Sequence, residues 1–279
     1  MKLGHAPTEA KILERLRQGY GSGDGDDYKE WIGFRDLSSL GNTSRLSSLV
    51  SGRRHTVFSG IEDDLFSTVE RQPQTVNIQL QRAMEREITL ACAQALGVDH
   101  PRYDNSDVLA VMSLDAVVER RSANGDSYIV AFDSKPSAEL LDRRVLEKLS
   151  IHHLYCHYRC WRHHIVTEKT FPTHVRKNLA WIRAGARKEL EVEVPAGLFS
   201  TYPSLMLDDL RARRRHLPLN QYGQWFERIH GLPLGIGMRV LQILAWRHQI
   251  QPDMDAMEIR LTSTRFLLDR KLAAAAPNA

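Results

Sequence analysis

Two β-rich runs stand out in the pattern of apolar and polar positions. Val108-Leu109-Ala110-Val111-Met112-Ser113-Leu114 stays almost wholly apolar until it meets an acid, Asp115. Tyr128-Ile129-Val130-Ala131-Phe132 leads into Asp133-Ser134-Lys135-Pro136. A polar stretch, Ser122-Ala123-Asn124-Gly125-Asp126, separates them, and the pattern predicts a hairpin. Both runs deliver charge where an apolar strand would be expected to continue. Because side chains alternate along a strand, register decides which of these charges meet. A two-residue Asn124-Gly125 loop pairs Asp115 with Ser134 and turns it away from Asp133 and Lys135. A three-residue loop or a bulge brings it opposite Asp133 or Lys135. An odd loop between Glu119 and Tyr128 is therefore expected if the charges form one site.

The remaining pattern is mostly helical. Helices are expected at Thr8 to Gln18, with Ile12, Leu13 and Leu16 on one face, and after Ser59-x-x-Glu62, with Ile61, Leu65, Phe66 and Val69 inward. A short strand follows from Gln74 to Leu80, then a helix from Arg82 to Leu96 stopped by Gly97. Beyond the hairpin, a helix from Ala138 to Trp161 precedes a strand at Ile165-Val166-Thr167. Phe171-Pro172-Thr173 reads as a junction, dividing the chain into residues 1–169 and 170–279. The second part predicts helices at Val175 to Lys188, Leu205 to Leu210, Asn220 to Ile229 and Gly235 to Arg247. The last two have helix-turn-helix spacing, and Met257-Glu258-Ile259-Arg260-Leu261-Thr262 would supply strands of a wing.

Composition narrows the class. With 279 residues and 42% apolar content the chain can bury two cores. No run has the length of a membrane span and no signal-peptide core opens the chain, so no membrane association is expected. Three cysteines are too few for a disulfide framework and suit a reducing, cytoplasmic setting. Charge is divided unevenly: residues 170–279 carry 16 Lys and Arg against 10 Asp and Glu, whereas residues 1–169 carry 22 against 24. A basic half beside an acid-bearing half suits a polyanion binder with a metal site.

Asp133 and Lys135, two apart on a strand, share a face. A carboxylate there can hold a divalent cation, and a lysine beside it can orient a water or neutralise charge on phosphorus, which points to metal-assisted phosphodiester cleavage. Asp115 would be the second carboxylate. The plainer reading is that Asp and Lys beside Pro136 are ordinary strand-end residues. Glu62 likewise reads first as the acid of a capping box, reaching back to the Ser59 amide. The glycine-rich run from Gly19 to Gly25 lacks a preceding strand and a following Gly-Lys-Ser/Thr, so it reads as a loop and not a phosphate cradle. His152, Cys156 and Cys160 climb one helical stripe at zinc-ligand spacing, but no distant Cys-x-x-Cys closes a tetrahedron, and half-buried helix residues are the preferred reading. Arg53-Arg54-His55 and the cluster Arg211 to Arg215 are candidate phosphate contacts or solvated faces.

Taken together, the chain resembles the TnsA family, the endonuclease subunit of heteromeric transposases. The resemblance rests on Gly21-x-Gly23-x-Gly25-x-x-Tyr28-x-x-Trp31, Ser59-x-x-Glu62, Val111-Met112-Ser113-x-Asp115, Lys135-Pro136 and Leu146-Glu147-Lys148-Leu149. Lys177-Asn178-x-x-Trp181 and Leu234-Gly235 with Leu241 extend it into the second half. It implies an α/β restriction-endonuclease-like N-terminal domain, a mixed sheet flanked by helices, followed by an α-rich winged-helix-type C-terminal domain. Glu62, Asp115 and Lys135 fall on the family's catalytic carboxylates and lysine. Asp133 stands where the family pattern has a neutral glutamine, and restores the Asp-x-Lys form of the wider superfamily.

The resemblance further implies Mg2+, with Mn2+ able to substitute, held by Glu62, Asp115, Asp133 and the Ser134 carbonyl, while Lys135 orients the attacking water. The implied reaction is hydrolysis of the 5′ strands at transposon ends. The implied partners are double-stranded DNA, a TnsB-like DDE transposase and a TnsC-like AAA+ ATPase. The alternatives are a stand-alone restriction or repair nuclease of the same fold, and a non-catalytic winged-helix DNA-binding scaffold.

Overall fold

The computed structural model describes residues 7–33, 43–187, 194–212 and 216–264. Its contacts divide the chain into two compact units, Met1–Thr170 and Phe171–Ala279. Arg213 to Arg215, most of the basic cluster singled out above, lie outside the described residues, as does the alanine-rich tail.

The first unit opens with α1 (Glu9–Arg17), N-capped by the Thr8 hydroxyl. A two-stranded antiparallel ribbon follows, β1 (Ser44–Ser47) and β2 (Arg54–Val57). Next come α2 (Gly60–Arg71), β3 (Thr75–Ala83) and α3 (Arg86–Leu96). The hairpin is β4 (Ser113–Arg121) and β5 (Ser127–Ser134), and α4 (Arg143–Tyr158) crosses over to β6 (Arg162–Val166). Strands β3, β4, β5 and β6 form one mixed sheet in that order, antiparallel except for the parallel β5–β6 pair. Val117 and Ala131 face α3 and α4, in a core with Cys92, Ala93, Ile151, Tyr155 and Cys156. Ala116, Val118, Val130 and Phe132 alternate to the other face, where α2 buries Leu65, Phe66 and Val69.

Several boundaries differ from the sequence pattern. The first hairpin strand begins only at Ser113, so Val108 to Met112 of the apolar run lie outside it and Asp115 stands near the start of the strand, not its end. The strand expected to end at Leu80 runs on to Ala83, so the following helix begins at Arg86 and not at Arg82. Pairing with β4, down to Ala83↔Ser113, overrides the helical propensity of Arg82-Ala83-Met84. The helix expected from Ala138 is a short 3-10 turn over Ser137–Leu141 and then α4, because the Asp142 side chain accepts from the Val145 amide and starts a new helix there.

The second unit is helical: α5 (Thr173–Ala186), α6 (Thr201–Arg211), α7 (Leu219–His230) and α8 (Ile236–Trp246). Its core gathers Ile182, Met206, Leu210, Tyr222, Phe226, Val240, Leu241 and Leu244. Helix α8 has no side chain at its N-cap, Gly235; the buried Glu227 carboxylate serves instead, accepting from the Gly235 and Gly237 amides at 2.9 and 2.8 Å. The wing strands expected over Met257 to Thr262 are absent: Ile259–Leu261 is a 3-10 turn whose Ile259 is buried in the helical core. Just beyond it, the Leu219 amide donates to the Thr262 carbonyl and the Thr264 amide to the Leu217 carbonyl, strapping this segment across the start of α7.

Helices α7 and α8 touch backbone to backbone. A Cβ on Gly237 would lie 2.1 Å from the Gly223 carbonyl oxygen. Gly237→Ala is expected to destabilise the protein by about 1–3 kcal/mol through overpacking, read as a lower urea midpoint. Gly60→Ala, where an added Cβ meets nothing within 4 Å, should leave stability unchanged or raise it by up to about 1 kcal/mol.

Candidate active site

The hairpin loop holds three residues. The Ser122 amide donates to the Asp126 carbonyl at 2.8 Å and the Gly125 amide to the Ser122 carbonyl at 3.0 Å, with Gly125 at φ +89°. A turn closed this way needs a left-handed residue before the strand resumes, and glycine adopts it without strain. The resulting register pairs Ala116 with Phe132, which carries Asp115 to the position opposite Asp133. The odd loop expected from the charges is therefore present.

Asp115 is the hub of what converges at this end of the sheet. Its Oδ2 accepts from the Ser134 amide at 2.7 Å and lies 3.5 Å from the Lys135 ammonium. Lys135 Nζ also donates to the Ser134 carbonyl at 2.9 Å. Glu62 sits in the first turn of α2, where Ser59 Oγ accepts from its amide and donates to its Oε1, both at 3.2 Å. Its Oε2 accepts from the amide of Phe58, one residue earlier than the capping box predicts. The two roles weighed for Glu62 are thus compatible: each oxygen takes one bond from the cap and keeps further lone-pair capacity.

The electrostatics of these groups are coupled. Burial, then repulsion from Asp115, pushes the Glu62 pKa up to about 7, against partial relief from Phe58, Ser59 and Lys135. Burial also raises Asp115; Lys135, the Ser134 amide and His152 pull it back, while Asp133 adds to the rise. Burial opposes the charge on Lys135, but Asp115, Asp133 and Glu62 outweigh it and hold its pKa above the usual lysine value. Asp115 raises the Glu62 pKa and Asp133 raises that of Asp115, so carboxylates gathered around one lysine form a site short of positive charge.

Asp133 is placed differently. It is 1% exposed, and its Oδ2 accepts from His152 Nδ1 on α4 and from His163 Nε2 on β6, both at 2.8 Å. Burial works against its charge, but these two imidazoles outweigh it and hold the carboxyl well below the usual range. Its other oxygen, Oδ1, is buried and has no hydrogen-bond partner among the described residues. The sequence pattern places His152 among half-buried helix residues and assigns His163 no role. The signal that could have found His152 is its position ten residues into a helix that returns across β5. Cys156 is buried and Cys160 exposed, and no cluster of three or more His, Cys, Asp or Glu suited to a metal ion occurs among the described residues.

Gln81 was also missed. The register Leu80↔Ala116 and Arg82↔Leu114 sets it opposite Asp115, so Gln81, Asp115 and Asp133 form one polar row across three strands. Gln81 is 3% exposed and has φ +52°, which interrupts the ladder at that row. Its Nε2 lies 3.5 Å from Asp115 Oδ1, and its Oε1 accepts from Ser113 Oγ at 3.3 Å. The alternation Asn77-Ile78-Gln79-Leu80-Gln81 was the available clue. The glycine-rich run buttresses this strand: Tyr28 Oη donates to the Leu80 carbonyl, the Trp31 amide to the Gln81 carbonyl, and Gly21 lies so close that a Cβ would be 2.3 Å from that of Ala83.

The oxygen donors here are of the kind a hard divalent cation takes, although the described residues do not gather three carboxylates into a ready-made cage. Glu62, Asp115 and the Ser134 carbonyl offer oxygen, and the unpartnered Asp133 Oδ1 is a further buried acceptor whose orientation two histidines fix. Magnesium binds through one or two carboxylates, retained waters and substrate phosphates, so no larger protein cage is required.

A mixed sheet flanked by helices is consistent with an endonuclease domain. The family model described as "TnsA-like endonuclease N terminal" matches residues 69–168. The "Transposon Tn7 transposition protein TnsA" of Escherichia coli is 29% identical over 191 residues, 68% of this chain and 68% of that protein. Over residues 69–168 the chain thus carries a TnsA-like endonuclease domain, and it is similar to TnsA over about two thirds of its length.

Two outcomes test the electrostatics. A carboxyl whose folded pKa is raised contributes stability below its unfolded value near 4.5 and loses it as pH rises through about 7. In chelator, Glu62→Gln should therefore be more stable than the wild type at pH 8, by at most about 3 kcal/mol, and the gap should close as pH falls below about 4.5. Added Mg2+ should shrink the difference. Asp133→Ala leaves two imidazoles without their acceptor and should cost about 2–4 kcal/mol at pH 8, with Asp115→Ala costing less in the same denaturation assay.

Proposed function

We propose that this chain is the Mg2+-dependent endonuclease subunit of a heteromeric transposase, hydrolysing the 5′ strands at the ends of the mobile element. The observation that carries the reading is the approach of Glu62, Asp115 and Lys135 to one another at one end of the sheet, in a chain similar to TnsA. Glu62, Asp115, the Ser134 carbonyl and Asp133 Oδ1 would hold the metal. When bound, Mg2+ polarises the phosphoryl oxygens and lowers the pKa of a coordinated water.

The chain's own groups do the rest. Lys135, kept protonated by three carboxylates, orients the attacking water and neutralises charge growing on the phosphoryl oxygens. Asp115 holds that ammonium in place through its 3.5 Å contact and is itself fixed by the Ser134 amide. Glu62, whose carboxylate would be ionised against the metal, can accept a hydrogen bond from the attacking water. Attack of water on phosphorus, with departure of the 3′ oxygen, leaves 5′-phosphate and 3′-hydroxyl ends.

Within the same reading, a TnsB-like DDE transposase cuts and joins the 3′ ends and a TnsC-like AAA+ ATPase regulates both. The second unit would be the winged-helix-type module of that subunit, a reading supported by the helix-turn-helix spacing of α7 and α8 and not by any wing strand among the described residues.

The test is strand-specific cleavage of element-end DNA by the full chain with its transposase and ATPase partners. Asp115→Ala and Lys135→Ala should each reduce 5′-strand cleavage about 10²-fold or more and leave 3′-strand cleavage by the transposase in place. Mn2+ should replace Mg2+. Survival of 5′ cutting in either variant rejects the assigned site, and specific cutting of naked DNA by the chain alone rejects the subunit reading in favour of a stand-alone nuclease.

A further inference from the structure

The opposite end of the same sheet carries a second charged feature. Gln72 and Gln74 after α2, Arg120 and Arg121 of β4, Tyr128 of β5 and Arg162 of β6 line an open cleft of about 860 Å³. None of these three arginines forms an ion pair among the described residues, although Asp126 also borders the cleft. Two of the guanidinium groups lie over aromatic rings instead. Arg162 Cζ is 4.8 Å from the Tyr128 ring centre, and Arg120 Cζ is 5.8 Å from that of Phe132. Arg120 Nε is buried with no hydrogen-bond partner among the described residues. The backbone of Arg121 is pinned by its amide, which donates to the Gln74 carbonyl at 2.8 Å, while its side chain is exposed.

Arginines held on ring faces keep their planar forks oriented and their donors available, the arrangement that suits oxyanions, phosphate above all. Their positive field is felt locally: burial, then His163, Arg120 and Arg162, push the His164 pKa down. Six residues of β4 separate Asp115 from Arg121, a rise of about 20 Å, or about six base pairs of duplex at 3.4 Å each.

We propose that the cleft of Arg120, Arg121 and Arg162 grips the phosphate backbone of duplex DNA about six base pairs from the phosphate presented to Asp115 and Lys135. The identity of the polyanion rests on the nuclease reading above. The cleft thereby becomes a second anchor that sets the direction in which the duplex crosses the sheet. Because guanidinium–phosphate contacts carry no base information, the grip is independent of sequence.

The experiment uses the full chain, the double variant Arg121→Ala/Arg162→Ala and the corresponding double lysine variant. Arg120 is left intact because it packs within the sheet. Binding of a fluorescent duplex is followed by anisotropy in chelator across a salt series. The alanine variant should bind about ten-fold more weakly or worse at low salt, and its log K against log salt slope should be shallower by about 2. The lysine variant should recover the slope, and duplexes of different sequence should respond alike. Equal affinity and slope in wild type and alanine variant overturn the proposal, as does a wild type that binds no duplex at low salt. Unchanged duplex binding together with poly-glutamate captured by wild type and not by the alanine variant overturns it too, assigning the cleft to an acidic protein. The nuclease reading is judged separately, by the partner-dependent cleavage assay.

Discussion

Carboxylates on neighbouring strands can share a cation only if the register sets them on one face of the sheet. In this protein the register follows from a loop of three residues, Ala123-Asn124-Gly125, closed by two backbone hydrogen bonds and by the left-handed conformation of Gly125. One residue fewer would move Asp115 to the far face, because side chains alternate with a period of two. With the loop as it is, Gln81, Asp115 and Asp133 fall in one row, and the strand end beyond Asp133 delivers Lys135 to within 3.5 Å of Asp115. At an effective dielectric of about 20 that contact gains of the order of 5 kcal/mol, much of it offset by desolvating both groups.

The acids of this region are secured by unequal means. Asp133 has two imidazoles on one oxygen and stays ionised in a buried place, a local arrangement that binds α4 and β6 to β5. Glu62 has only the weak donors of a helix cap and faces Asp115, so its charge is held at a cost. Asp115 lies between these extremes. The polar row is supported from outside the sheet by Tyr28 and Trp31, which bond to the carbonyls of Leu80 and Gln81 where the ladder is interrupted. A site that is stable while repelling its own charge stores the kind of electrostatic imbalance that a divalent cation relieves. The same sheet puts arginines at its other end, so the two ends differ in sign as well as in chemistry.

Much of this was legible in the chain. The hairpin, the helix behind Ser59, the α4 crossover and the helices of the second unit follow from hydrophobic periodicity, which depends on local spacing. The spacing of charges even specified which loop geometry would let Asp115 and Asp133 meet. Three things were decided only by tertiary contacts. Strand β3 continues through Gln81 to Ala83 because β4 offers it hydrogen bonds, a pairing that no local pattern announces. His163 on β6, and His152 on the helix leading to it, meet Asp133 because a parallel crossover returns the chain beside β5. The segment at Met257 to Thr262 alternates like a strand, yet Ile259 finds more burial in the helical core than a free ladder would provide. Periodicity records which residues want to be buried or charged; which distant partner satisfies them depends on the path of the whole chain, and here that path decides which carboxylate is held by histidines and which are left to share Lys135.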